Sequence, residues 1–106
     1  MAVNVLVTAK AAKDIASIDT YLRRSLLSPA AADAFLDDLE HGIGMVRQFP
    51  EMRPLCSDAN LASRGYRTFR VGNYIVIYEF SNGAIRLLHV FHQSQNYAPF
   101  VIEAES

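Results

Sequence analysis

Two amphipathic stretches meet at Ser28-Pro29, and this dipeptide demands a break between them. Proline cannot continue a helix, but it fits the first position of a new one, where its missing N–H costs nothing. The serine before it can accept a hydrogen bond from the free amides of that new helix. From Ala9 to about Leu27, the residues Ile15, Ile18, Leu22 and Leu26 recur at helical spacing and define one apolar face. Lys13, Asp14, Arg23 and Arg24 occupy much of the remaining surface. After the break, Phe35, Leu36, Leu39, Ile43 and Val46 carry the same period toward Gln48. Asp33, Asp37, Asp38 and Glu40 lie toward the N-terminal half of this second helix, where its dipole favours negative charge. So short a connection makes the pair an antiparallel helical hairpin. Gly42 and Gly44 weaken the second helix but let another element approach closely.

Strands flank this hairpin. Val3, Val5 and Val7 alternate with Asn4 and Leu6 as a short first strand, and Thr8 stands where the N-cap of the first helix belongs. Phe49-Pro50 ends the second helix, and residues 50–63 carry two prolines without a clear period, which reads as a long loop. Strands are then expected at Gly65–Val71, Asn73–Phe80 and Ala84–Phe91. Gly72 joins the first two of these, and Ser81-Asn82-Gly83 joins the last two. The expected fold class is α+β in the order β-α-α-β-β-β, with the N-terminal hairpin packed on one face of a curved, antiparallel-rich sheet and the opposite face left open.

With 106 residues, 51% of them apolar, the chain makes one domain spanning 1–106. A net charge of −1 argues against a generally basic nucleic-acid binder, although Arg64, Arg67 and Arg70 fall close together. The lone Cys56 builds neither a disulfide framework nor a zinc site, and it suits a reducing, cytoplasmic setting. Residues 1–8 are too short and too polar to be expected as a secretory leader, and no apolar run approaches the roughly 18 residues of a membrane span. No phosphate-binding loop, dinucleotide fingerprint, metal cluster or nucleophile elbow is present, so no metal and no cofactor is expected.

The remaining candidates lie in the strand half: Arg64, Arg67, Arg70, Tyr74, Tyr78, Arg86, His89, His92 and Tyr97. In a regular last strand, Arg86, Leu88, Val90 and His92 share one face, while Leu87, His89 and Phe91 share the other. A bulge near the strand end would change that assignment.

LASRGYRTFRVGNYIVIYEF, followed by IRLLHVFHQSQNY, resembles the signature half of the RelE/ParE superfamily, the small toxins of type II toxin–antitoxin modules. The similarity extends over nearly the whole chain, with its specific part at residues 61–97. It implies a bacterial cytoplasmic toxin neutralised by a cognate antitoxin. RelE-like members cut mRNA on the ribosome without a metal, and ParE-like members poison DNA gyrase. The default expectation is ribosome-dependent mRNA cleavage, with gyrase inhibition as the alternative and an attenuated toxin that only binds its antitoxin as a third outcome. By the resemblance, Arg67, His92, Tyr97 and Gln95 would be the catalytic set, with Arg64, Arg70 and His89 contacting RNA phosphates. Arg67, His92 and Tyr97 would face one common hollow. The chain departs from the family edge at Ser94, Gln95 and Asn96, where paired arginines and an aspartate are usual, and at Thr68, where a basic residue is often found.

Overall fold

The computed structural model describes residues 3–95. Strand β1 (Asn4–Val7) leads into helix α1 (Ala9–Thr20), a π-helical turn (Tyr21–Ser25), α2 (Pro29–Gln48), a short α3 (Ala59–Ser63), then β2 (Arg67–Val71), β3 (Tyr74–Ser81) and β4 (Ala84–His92). The sheet order is β1-β4-β3-β2. β1 runs parallel to β4, and the other neighbours are antiparallel.

Local chemistry explains the element ends. Thr8 Oγ1 accepts from the Ala11 amide and donates to the Leu87 carbonyl at 2.7 Å, so one hydroxyl both caps α1 and ties it to β4. Ser28 Oγ accepts from the Ala31 amide at 3.2 Å, with Pro29 opening α2 as its sequence requires. The expected first helix is regular only to Thr20. Its last turn widens to the π form, and Leu27 adopts a φ of +51° before Ser28 restarts the chain. At the β3–β4 turn, Asn82 and Gly83 take φ of +54° and +74°, the geometry that matches strand twist in a two-residue hairpin.

The helical hairpin covers one face of the sheet. Leu22, Phe35, Leu39 and Val46 pack there against Phe69, Val76, Tyr78, Ile85, Leu87 and Val90. Gly42 is the point of closest approach: a β-carbon at this position would stand 2.6 Å from Cε2 of Phe69. Gly44 meets nothing within 4 Å, so only the first of the two glycines is there for contact.

Two expectations are corrected. The segment read as loop contains α3, capped by Asp58 Oδ1 accepting from the Leu61 amide at 3.1 Å. The face opposite the hairpin is not left open either. Cys56, Leu61 and Tyr66 bury against Ile77, Leu88 and Phe91 in a second apolar cluster. Burial, and then the nearby Asp58 charge, push the Cys56 thiol up to about 11, which keeps it protonated and inert.

The strand parity is corrected too. Ile77 pairs with His89 but Tyr78 pairs with Leu87, so Leu88 is an extra residue in β4. This bulge puts Leu87 and Val90 together in the hairpin-facing core and Leu88 with Phe91 in the other cluster. His92 lies opposite Tyr74 on β3.

Candidate functional site

β1 accompanies β4 only from Ala84 to Leu87. Beyond Leu87, α1 takes over as the neighbour, and a groove of about 540 Å³ opens between α1 and the last residues of β4. Asp14 closes the inner end. Its carboxylate accepts from the Val90 amide at 3.0 Å, pairs with Lys10 at 3.1 Å, and contacts His89 Nδ1. Burial alone would push this carboxyl up, but the hydrogen bonds from His89 and Val90, with the further pull of His89 and Lys10, hold Asp14 below its ordinary value of 3.8. His89 is only 3% exposed and stacks on Phe91 with ring centroids 3.6 Å apart. Its Nε2 is enclosed with no partner among the described residues. The expected phosphate contact by His89 therefore has no surface to act from.

The outer end of the groove is the strand terminus. The His92 amide donates to Gln95 Oε1 at 3.0 Å, and the Gln95 amide returns a bond to the His92 carbonyl. Ser94 N–H donates to His92 Nδ1 at 3.2 Å, and Ser94 Oγ lies 2.8 Å from the same nitrogen. An acceptor Nδ1 assigns the proton of a neutral imidazole to Nε2. Tyr74 meets the His92 ring edge-on at 5.5 Å. Burial, then the neighbouring Tyr21, raise the Tyr74 phenol above its ordinary value of 10.0, so it does not supply a phenolate.

Of the arginines, the structure brings Arg70 to this terminus: its Nη2 donates to Gln93 Oε1 at 2.8 Å, and Gln93 in turn donates from its backbone to the Asn73 carbonyl. Arg67 lies elsewhere. It pairs in register with Tyr78, whereas His92 pairs with Tyr74. Those positions are four steps apart on β3, roughly 13 Å along the strand. Arg67 Nη1 donates to the Arg53 carbonyl at 2.6 Å, beside Tyr78, whose hydroxyl donates to the Pro50 carbonyl at 2.9 Å. Arg64 is exposed at the end of α3. Tyr97 falls outside the described residues. The structure thus groups His92, Gln95 and Arg70 at one end of the sheet, while Arg67, three residues before Arg70 on β2, turns to the loop after α2, which breaks the expected common hollow as far as these residues go.

Sequence reasoning overlooked Asp14, Lys10 and Asn73. Asp14 was legible only as a polar residue beside Ile15 on the margin of the apolar face, and its strand partners lie 75 and 76 positions away. Among the described residues, no cluster of three or more metal-ligating side chains occurs. No helix among them is long and apolar enough to cross a membrane.

A helical hairpin on a four-stranded mixed sheet, in this order, together with a family-level sequence match, makes this a toxin of the RelE/ParE superfamily. The sequence model described as ParE toxin of type II toxin-antitoxin system, parDE, matches residues 5–97, and the chain belongs to that family. Among solved structures, a chain of the chromosomal ParDE TA system from P. aeruginosa superposes with a TM-score of 0.69 at 17% identity, covering 85% of this chain and 95% of that one. A chain of the toxin-antitoxin complex RelBE2 from Mycobacterium tuberculosis gives 0.58 at 19% identity, covering 87% and 99%. No curated protein sequence matches.

Proposed function

We propose that this toxin arrests growth by binding and poisoning a protein target, DNA gyrase, and that a cognate antitoxin keeps it silent. The observation that carries this reading is the separation of Arg67 from His92. Metal-free RNA cleavage requires a base on the 2′-hydroxyl, an acid on the leaving oxygen and cations on the phosphate between them, all within hydrogen-bond reach of one nucleotide. Arg67 is committed to the Arg53 carbonyl at the start of β2, opposite Tyr78 in the middle of β3. His92 Nδ1 is occupied by Ser94, and the residues around it, Gln93, Ser94 and Gln95, carry no charge. A target-binding toxin needs complementary surface instead of that constellation.

Ribosome-dependent mRNA cleavage is the second reading, and one observation favours it: Arg70 reaches the His92 terminus through Gln93 and offers a forked, permanent cation there. The two readings separate in one induction experiment. Gyrase poisoning gives inhibited supercoiling and trapped DNA breaks with full-length transcripts. Transcripts cut within codons, with relief by Arg70→Ala or His92→Ala, would replace it with the nuclease reading. Unimpaired growth on induction would reduce the chain to an antitoxin-binding module.

A further inference from the structure

The sheet closes its free edges in two different ways. Along β2 the outer edge is covered by backbone: the Thr68 amide bonds the Pro54 carbonyl at 3.2 Å, the Cys56 amide bonds the Tyr66 carbonyl at 2.9 Å, and Leu55 bridges to Arg67. Along β4 no such backbone cover continues past Leu87. There β1 has passed into α1, and the groove of about 540 Å³ lies where another strand would run. An open edge of this kind is a template for any strand that meets it.

Side chains close it instead. The Gln93 amide points toward β3, where it bonds the Asn73 carbonyl at 2.8 Å. Backbone direction alternates along a strand, so Val90 and His92 present their amides to the groove. Asp14 Oδ2 accepts from the Val90 amide at 3.0 Å, and Gln95 Oε1 accepts from the His92 amide at 3.0 Å. Gln95 also donates its own amide to the His92 carbonyl at 3.0 Å. A residue facing His92 across an antiparallel ladder would make the same two bonds, with a backbone oxygen in place of Oε1. Thr8 opens the row, donating its hydroxyl to the Leu87 carbonyl at 2.7 Å. Lys10, paired with Asp14, sets a further charge beside the edge, which an incoming strand would have to desolvate.

We infer that Asp14 and Gln95 lock the free edge of β4 against strand addition, and that the strand they exclude is β4 of a second copy of this chain. Two such edges related by a two-fold axis offer the same amides and carbonyls to each other, so an unlocked edge is self-complementary. The lock does not depend on which target the toxin poisons. Its two parts differ in firmness. Asp14 is itself held by Lys10 and His89, whereas Gln95 is exposed and reaches back only three residues. Gln95 is therefore the part that can be removed with the fold intact.

The 106-residue chain is compared with Gln95→Ala, Gln95→Glu and Asp14→Ala by sedimentation equilibrium and amide hydrogen exchange, with thermal melts as the folding control. The wild type and Gln95→Glu, which keeps a side-chain oxygen, are expected to be monomeric. Gln95→Ala is expected to self-associate about tenfold or more tightly than the wild type, with slowed exchange at the Val90 and His92 amides in the associated form. Asp14→Ala should do the same where it folds; where it does not, Gln95→Ala decides alone. A Gln95→Ala protein no more associated than the wild type overturns the lock. So does association in which those two amides exchange at the monomer rate, because the contact then lies elsewhere. Equal association of Gln95→Glu and Gln95→Ala removes the oxygen from the explanation, and a wild type already paired through β4 shows an edge that is not locked.

Discussion

The start of β2 and the end of β4 use polar side chains in opposite ways. At the Arg67 end, a guanidinium and a phenol reach across to backbone carbonyls of the loop after α2, so strong donors act as struts. At the His92 end, neutral side chains satisfy one another over two or three residues: Gln95 and Ser94 both turn back onto His92. Behind that modest edge Asp14, paired with Lys10 and in contact with His89, fastens α1 to β4. The difference separates residue type from residue job. An arginine on a strand suggests a phosphate clamp until its geometry shows a carbonyl already in its grip.

The contrast can be broken by substitution. Asp14→Ala should have the largest effect, because it strands the Val90 amide and a buried histidine together; a loss of about 2–4 kcal/mol is expected in denaturant unfolding. A change under about 1 kcal/mol would show that the seam does not hold the groove. The same carboxylate predicts a pH dependence. Its folded value lies below 3.8, so its contribution is present above that pH and is lost as pH falls through the lowered value. The stability advantage of the wild type over Asp14→Asn should therefore persist at neutral pH and shrink in acid, read as the gap between their unfolding midpoints. A gap that widened below pH 3.8 would contradict the assignment.

Gly42→Ala tests whether β2, and Arg67 with it, is free to move. The new methyl would meet the Phe69 ring, and a cost of about 1–3 kcal/mol is expected from overpacking. Gly44→Ala has open space and should instead stabilise α2 by up to about 1 kcal/mol. Equal behaviour of the two glycines in thermal melts would mean that the helix–strand contact yields easily. Smallest of all is the direct comparison of the ends. Tyr78→Phe removes the strut to Pro50 and should cost about 1 kcal/mol. Ser94→Ala, on the exposed edge, should stay within about 0.5 kcal/mol. A reversal of that order would invert the picture of a braced end and a lightly held one.

Much of the architecture was written in local chemistry. Ser28-Pro29, Thr8 and Asn82-Gly83 sit where cap and turn geometry needs them, and each does what its type predicts. The period of Phe35, Leu39 and Val46 marked the buried face of α2. The site was harder to read, for two physical reasons. A single inserted residue, Leu88, reverses strand parity, and no residue type announces a bulge. The partners of Asp14 depend on where β4 comes to rest against α1, which is a property of the whole packing. α3 was missed because it is short and its Asp58 cap lay among prolines and small residues that read as loop.

The bond between Thr8 and Leu87 spans 79 positions, and the one between Asp14 and Val90 spans 76. Among the described residues, β1 and α1 are thus closed by β4, the strand furthest from them in sequence. A growing chain still lacking β4 has neither a partner for β1 nor a floor for α1. Long-range closure of this kind comes late in folding. The groove beside α1 therefore exists only once β4 has closed the sheet, so whatever this face binds is recognised by the finished fold and by no shorter piece of it.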